Sequence, residues 1–257
     1  MKIYPLIFIV LIKTSLLFSQ PLSKVNRFKN GEVLKYNIKY GFIHGGVASA
    51  SLKLTKYNGK VVYHAIITGN TTGIADKIFK VKDTYESYFD TSTLLPLKAI
   101  RNIKEGNYRY YNEIYYDHEN STIYNKRLDS TIKVPSGIID MTSALYYLRN
   151  VEMNKLKKGD AVEVITYFGD EIFPFKIRYS GIEYVNLNKK KIKCHRFDPV
   201  VEPGRIFKSE DDMTVWISAD KNQIPVIIRF DMWIGAIYCE LIGFESLKYE
   251  FEFETLN

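Results

Sequence analysis

Along most of the 257-residue chain, aromatic and β-branched residues alternate with polar ones, the period of two expected of half-buried strands. In "EVLKYNIKY", Leu34, Tyr36, Ile38 and Tyr40 share one face while Lys35, Asn37 and Lys39 share the other. In "GFIHGGVASASLKL", Gly45 and Gly46 supply a bend, and Ala48, Ala50, Leu52 and Leu54 resume the alternation. Asn58-Gly59 is a hairpin turn, because both residues tolerate positive φ, and it leads into "KVVYHAIITGN". These segments predict an antiparallel meander. "GIADKIFK" (73–80) predicts one helical turn, after which "VKDTYESYFD" returns to strand character.

"LPLKAIRNIKEG" and "NYRYYNEIYYDHEN" form the next predicted pair, turning at 105–107. The second of them carries rings on both faces. Further hairpins are predicted at Gly169-Asp170 and near Asn188, with a turn at 219–222 and Pro225 opening a strand. "YEFEFETL" near the C-terminus reads as a one-sided strand, with Tyr249, Phe251 and Phe253 opposite Glu250, Glu252 and Glu254.

One segment breaks the period. In "DMTSALYYLRN" (140–150), Met141, Ala144, Leu145 and Leu148 recur at helical spacing and make one apolar stripe. Tyr147 and Arg149 lie away from its centre and Tyr146 falls nearer the opposite side. Asp140 is suited to cap the first turn, and Arg149 suits the negative end of the helix dipole. A lone helix this short is marginal in water, so its stripe must pack on the sheet. The expected fold is mainly β: a large curved antiparallel sheet or open barrel-like meander with one central helix on its concave face. Strand-rich halves at about 30–134 and 160–255 would be joined by a helix at about 140–153. The pattern leaves one sheet or two open, within a single domain over 20–257.

The N-terminus changes the compartment. "MKIYPLIFIVLIKTSLLFSQPLS" has Lys2, an apolar run interrupted by Pro5 and Lys13, then small and polar residues, the layout of a signal peptide over 1–19 cleaved after Ser19. The expected location is the periplasm or the exterior. The formal charge is +7; without Lys2 and Lys13, 34 basic residues face 29 acidic ones. That mild excess, in an exported protein, argues against nucleic acid and admits contact with a membrane surface. The basic run "NKKKIKCHR" (188–196) reads as a solvated hairpin. Cys194 and Cys239 are the only cysteines, and export permits a disulfide between them.

Taken together, "GEVLKYNIKYG", "GGVASASL", "VKDTYESYFD", "LLPLKAIRN", "DMTSALYYLR" and "VWISADKNQIPV", in this order, resemble the exported bacterial proteins grouped as domain of unknown function 3108. Trp216, Ser218, Asp220 and Pro225, with Asp140, Ser143, Tyr146 and Arg149, carry most of the resemblance. It implies an exported, mainly antiparallel β domain and no reaction. The long basic hairpin departs from it.

Candidate chemistry is sparse. His44, His64, His118 and His195 are scattered, and adjacent Cys194 and His195 point to opposite faces of a strand, so no metal and no cofactor is expected. "SEDDM" (209–213) lacks the spaced donors of a calcium loop. No nucleophile elbow, phosphate loop or dinucleotide fingerprint occurs, and no catalytic residue stands out. The expected function is a non-enzymatic binding or carrier module of the envelope for an apolar or glycan-type ligand, lined by Tyr108, Tyr110, Tyr146, Trp216 and Trp233. Asp140, Leu145, Leu148 and Arg149 are expected to be structural. The alternatives are a structural or adaptor protein docking to an envelope protein partner, and a hydrolase of envelope polymer.

Overall fold

The computed structural model describes residues 26–200, 212–232 and 235–255; the predicted signal segment, Trp233 and part of "SEDDM" lie outside them. The first half runs β1 (Val33–Tyr40), β2 (Ile43–Tyr57), β3 (Lys60–Thr71), a short helix α1 (Gly73–Ile78), β4 (Lys82–Asp90), β5 (Pro96–Glu105) and β6 (Tyr108–Asp117). Two short strands follow, β7 (Thr122–Asn125) and β8 (Ser130–Lys133), and then the helix α2 (Met141–Arg149). The second half runs β9 (Ala161–Phe168), β10 (Glu171–Leu187), β11 (Lys190–Pro199), β12 (Met213–Ser218), β13 (Pro225–Met232), β14 (Gly235–Glu245) and β15 (Glu254–Thr255).

The strands form one antiparallel sheet, not two, in the order β8-β7-β6-β5-β4-β3-β2-β1-β14-β13-β12-β11-β10-β9, with β15 added on β11. The halves join where β1 pairs with β14, Val33 opposite Glu245 and Tyr40 opposite Ile237. Turn chemistry sets the register. Asn58 and Gly59 both take positive φ, as do Gly169 and Asp170, and Asn188 and Lys189, each a tight two-residue hairpin.

The sheet curves but stays open, with β8 and β9 as its ends. Ile139, just before α2, bridges in parallel to Thr166 of β9, and a hydrogen-bonded clasp joins the two ends through Asp170. Tyr110 and Asn125 donate to its carboxylate at 3.1 and 2.9 Å, and Arg127 pairs with it. Burial alone would raise this carboxyl; the bonds from Asn125, Arg127 and Tyr110 hold it below the ordinary value.

"YEFEFETL" is not the strand that its alternation predicts. Only Glu254–Thr255 pairs; upstream, the side chain of Asn222 accepts from the Tyr249 N–H and donates to the carbonyls of Tyr249 and Glu250. A side-chain amide has taken the backbone groups a ladder would use. The tail also screens the basic hairpin: Lys191 pairs with Glu254 and Lys190 sits over the Phe253 ring. Among the described residues no helix is long and apolar enough to cross a membrane.

Candidate functional site: an apolar cavity beside the central helix

Helix α2 lies inside the curved sheet, wedged between its halves. Asp140 begins it as a full capping box: one carboxylate oxygen accepts the N–H groups of Thr142 and Ser143, the other accepts the hydroxyls of Ser87 and Ser143. Burial raises its carboxyl above the ordinary value, against the lowering effect of these bonds. At the other end, Gln223 donates its side-chain amide to the carbonyls of Arg149 and Val151, satisfying groups a helix C-terminus leaves open. The "SADKNQ" turn is thus the socket for α2. Asp220 shapes it by accepting from Ser218, Asn222 and Gln223.

The burial of α2 does not follow the predicted single stripe. Ala144 and Leu148 pack on Val162, Val164, Ile177 and Phe197 of the second half, as expected. The opposite side is packed as well. Tyr146 is 1% exposed, edge-on to Phe28 at 5.0 Å and among Leu52, Ala65 and Phe89 of the first half. Arg149 is 1% exposed and forms a bidentate pair with equally buried Glu32, with its remaining N–H groups on the Asn222 carbonyl. Its role goes beyond meeting a helix dipole.

Met141 and Leu145, in the middle of the predicted stripe, are only half-buried. They face a cavity of about 170 Å³ between α2 and β10–β13. Phe175, Phe197, Val215 and Ile217 form its opposite wall, and the space runs along β12 from Ile217 and Pro225 to Met213 and Pro199. Arg149 is the one polar residue among the described residues of the lining, and Glu32 and Asn222 already occupy its guanidinium. The walls therefore offer carbon and almost no hydrogen-bonding group.

Among the described residues, none of the sequence-predicted ligand-lining positions lines this cavity. Tyr108 is exposed at the β5–β6 turn, Tyr110 belongs to the Asp170 clasp, and Tyr146 is core. Trp216 alternates with the lining residues Val215 and Ile217; its indole donates to Glu183 and its ring lies near Arg196. Trp233 lies outside the described residues. The lining comes instead from aliphatic and phenylalanine positions that read as ordinary core. Nothing in the sequence separates a core position that meets a partner from one that meets a void.

A second, smaller space of about 30 Å³, room for one water, lies between the sheet ends beside the first turn of α2. Its three carboxylates are all engaged: Asp140 as the cap, Asp170 in the clasp, and Glu86 with His64 at 2.7 Å. Among the described residues no three His, Cys, Asp or Glu side chains form a metal-binding group. Cys194 and Cys239 are free, because β12 and β13 lie between their strands and hold them beyond the reach of a disulfide.

No curated protein matches the chain. Among solved structures, a β-barrel-like protein of domain of unknown function 1849 from Brucella abortus has a similar fold, with a TM-score of 0.55 at 7% identity over 88% of this chain and 100% of that one. A protein of the domain of unknown function 1089 family from Pseudomonas aeruginosa matches with a TM-score of 0.37 at 10% identity, over 70% of this chain and 87% of that one. The family model for the proteins of unknown function DUF3108 matches residues 35–242, and this chain, with its curved sheet and socketed helix, belongs to that family.

Proposed function

We propose that the protein is an exported, non-enzymatic binding or carrier module of the cell envelope, and that its ligand is apolar. The observation that carries this reading is the cavity between α2 and β12, about 170 Å³, whose described lining is almost wholly apolar. An apolar space of about this size is enough for a small hydrocarbon. It is smaller than the roughly 300 Å³ at which drug-sized pockets begin, so it suits a stretch of acyl chain better than a whole lipid. A glycan would leave its hydroxyls unpaired against these walls, at a cost of several kcal/mol. The envelope setting rests on the N-terminal segment with its Lys2 and interrupted apolar run.

Titration with a fluorescent fatty acid tests the proposal. Saturable binding is expected, lost in Val215→Trp, where the indole fills the space, and kept in Leu54→Trp on the exterior. Unsaturable binding, or equal binding by all three proteins, would remove the cavity from consideration.

A further inference from the structure

We infer that one rim of the sheet is a membrane-docking edge, carried by the exposed apolar tips Phe42, Ile43, Ile74, Ile78 and Phe79. In an up-and-down sheet all turns fall at two rims. At one of them the turns are polar: Asn58-Gly59, Thr91-Ser92-Thr93, Glu119-Asn120, Asn188-Lys189 and Asp220-Lys221-Asn222. At the other, where the turns at 106–107, 126–129 and 169–170 are largely polar as well, the β1–β2 and β3–β4 connections stand out: Phe42 is 102% exposed, Ile43 63%, Ile74 73%, Ile78 79% and Phe79 53%. Apart from Phe79, whose ring rests on Gly106, these side chains are left mostly uncovered by the described fold.

The tips form one continuous edge. Gly45 at the start of β2 accepts from the Thr72 N–H that opens α1. The Phe79 ring lies so close to Gly106 that a Cβ there would come within 2.7 Å of it, which ties α1 to the β5–β6 turn. Lys77, Lys80, Lys82, Lys104 and Arg109 are exposed along the same stretch, against Asp76 and Glu105. Apolar tips ringed by cations match the boundary of an anionic bilayer, where side chains enter the acyl region and ammonium groups meet phosphates. A protein partner would instead be met by a flat patch with a charge-poor centre.

The strand ends at Pro199 and Met213, one end of the apolar cavity, belong to this same rim. Docking would turn that end towards the acyl layer, although the membrane contact does not require the cavity to hold anything.

Co-sedimentation with vesicles of equal parts phosphatidylglycerol and phosphatidylcholine tests the inference, every protein carrying the same N-terminus. The parent is expected to bind, and binding should weaken with phosphatidylcholine alone. The triple variant Phe42→Ser/Ile74→Ser/Ile78→Ser should lose at least about tenfold in partition while melting at the parent's temperature, since these side chains support no packing. Leu54→Ser/Val61→Ser, on apolar residues exposed elsewhere, should bind as the parent does, and Phe42→Trp should retain binding. Undiminished partition of the triple variant overturns the inference. So does a concentration-dependent dimer that this variant abolishes without any parent binding to vesicles, which would make the rim a contact between two copies. Val215→Trp, which empties the ligand proposal and leaves the rim intact, should still bind vesicles.

Discussion

Arg149, the last residue of α2, and Glu32, just before β1, are 117 positions apart in sequence and form a two-pronged ion pair with about 1% of either side chain exposed. The pair locks the C-terminal end of the helix to the strand that joins the two halves of the sheet. Neither charge has water to fall back on. Removing one partner leaves the other buried and uncompensated, so Glu32→Gln should cost about 3–5 kcal/mol in urea unfolding. Replacing both, as Glu32→Leu/Arg149→Met, should restore most of that loss. A double variant as unstable as the sum of the singles would show that the Asn222 carbonyl, not the ion pair, holds the helix end.

Burial makes neighbouring leucines of one helix unequal. Leu148 is buried among Val162, Val164 and Ile177, so Leu148→Ala should cost about 2–5 kcal/mol. Both leucines border the cavity, but Leu145 is only half-buried and gives up less buried surface, so Leu145→Ala should cost less than half as much. Thermal melts of the two variants settle the order. Equal losses would mean that the space beside α2 closes in solution, and a melt unchanged by both would remove the helix from the core.

Much of this architecture is local and therefore legible in sequence. Asp140 as a cap, the turns at Asn58-Gly59 and Gly169-Asp170, and the alternation of β1 to β4 all follow from neighbours within a few residues. What the sequence concealed depends on distance. Tyr146 and Arg149 look like the outer side of an amphipathic helix, because a stripe of four apolar residues assumes one partner surface. In a helix wedged between two halves there are two, and the partner of Arg149 lies at position 32 with no signal to announce it. "YEFEFETL" failed for a related reason: the side chain of Asn222, over 25 residues upstream, competes for its backbone. The cavity was the least legible feature, since an absence of packing depends on the geometry of four strands at once.

Asp170 closes the open side of the sheet, and its loss should loosen that side alone. Asp170→Ala removes the acceptor for Tyr110, Asn112, Asn125 and Arg127 together. A cost of roughly 1–3 kcal/mol is expected, with faster amide hydrogen exchange in β6 to β9 and unchanged protection in β1 and β14. Uniform acceleration across all strands would contradict a local clasp.

Both thiols should be inert in the folded protein. Burial is the main cause that pushes Cys194 and Cys239 up to about 12, so almost no thiolate exists near neutral pH. Iodoacetamide should modify neither until denaturant is added, and then both. Rapid labelling of the native protein, or a single unlabelled cysteine pair after denaturation without reductant, would contradict the free thiols of β11 and β14, one buried and one half-buried.

His195 gives the fold a defined acid sensitivity. Its imidazole is buried, one nitrogen 3.1 Å from the Tyr179 hydroxyl and the other without a partner. Burial first, then the nearby charges of Lys193 and Arg27, lowers its pKa from 6.5 to about 4. Between those values the unfolded chain takes up a proton that the folded protein refuses. Stability therefore rises with pH through that window, and it falls as pH drops from 6.5 towards 4. The change is about 3 kcal/mol for the full window, as an order of magnitude. His195→Phe removes the titrating group, so its unfolding free energy should decline less than the parent's between about pH 7 and about pH 4.5. His64, also lowered by burial, contributes in the same direction in both proteins and cancels in the comparison. Parallel pH profiles for parent and variant would show that the imidazole takes up its proton in the folded sheet as readily as in the unfolded chain.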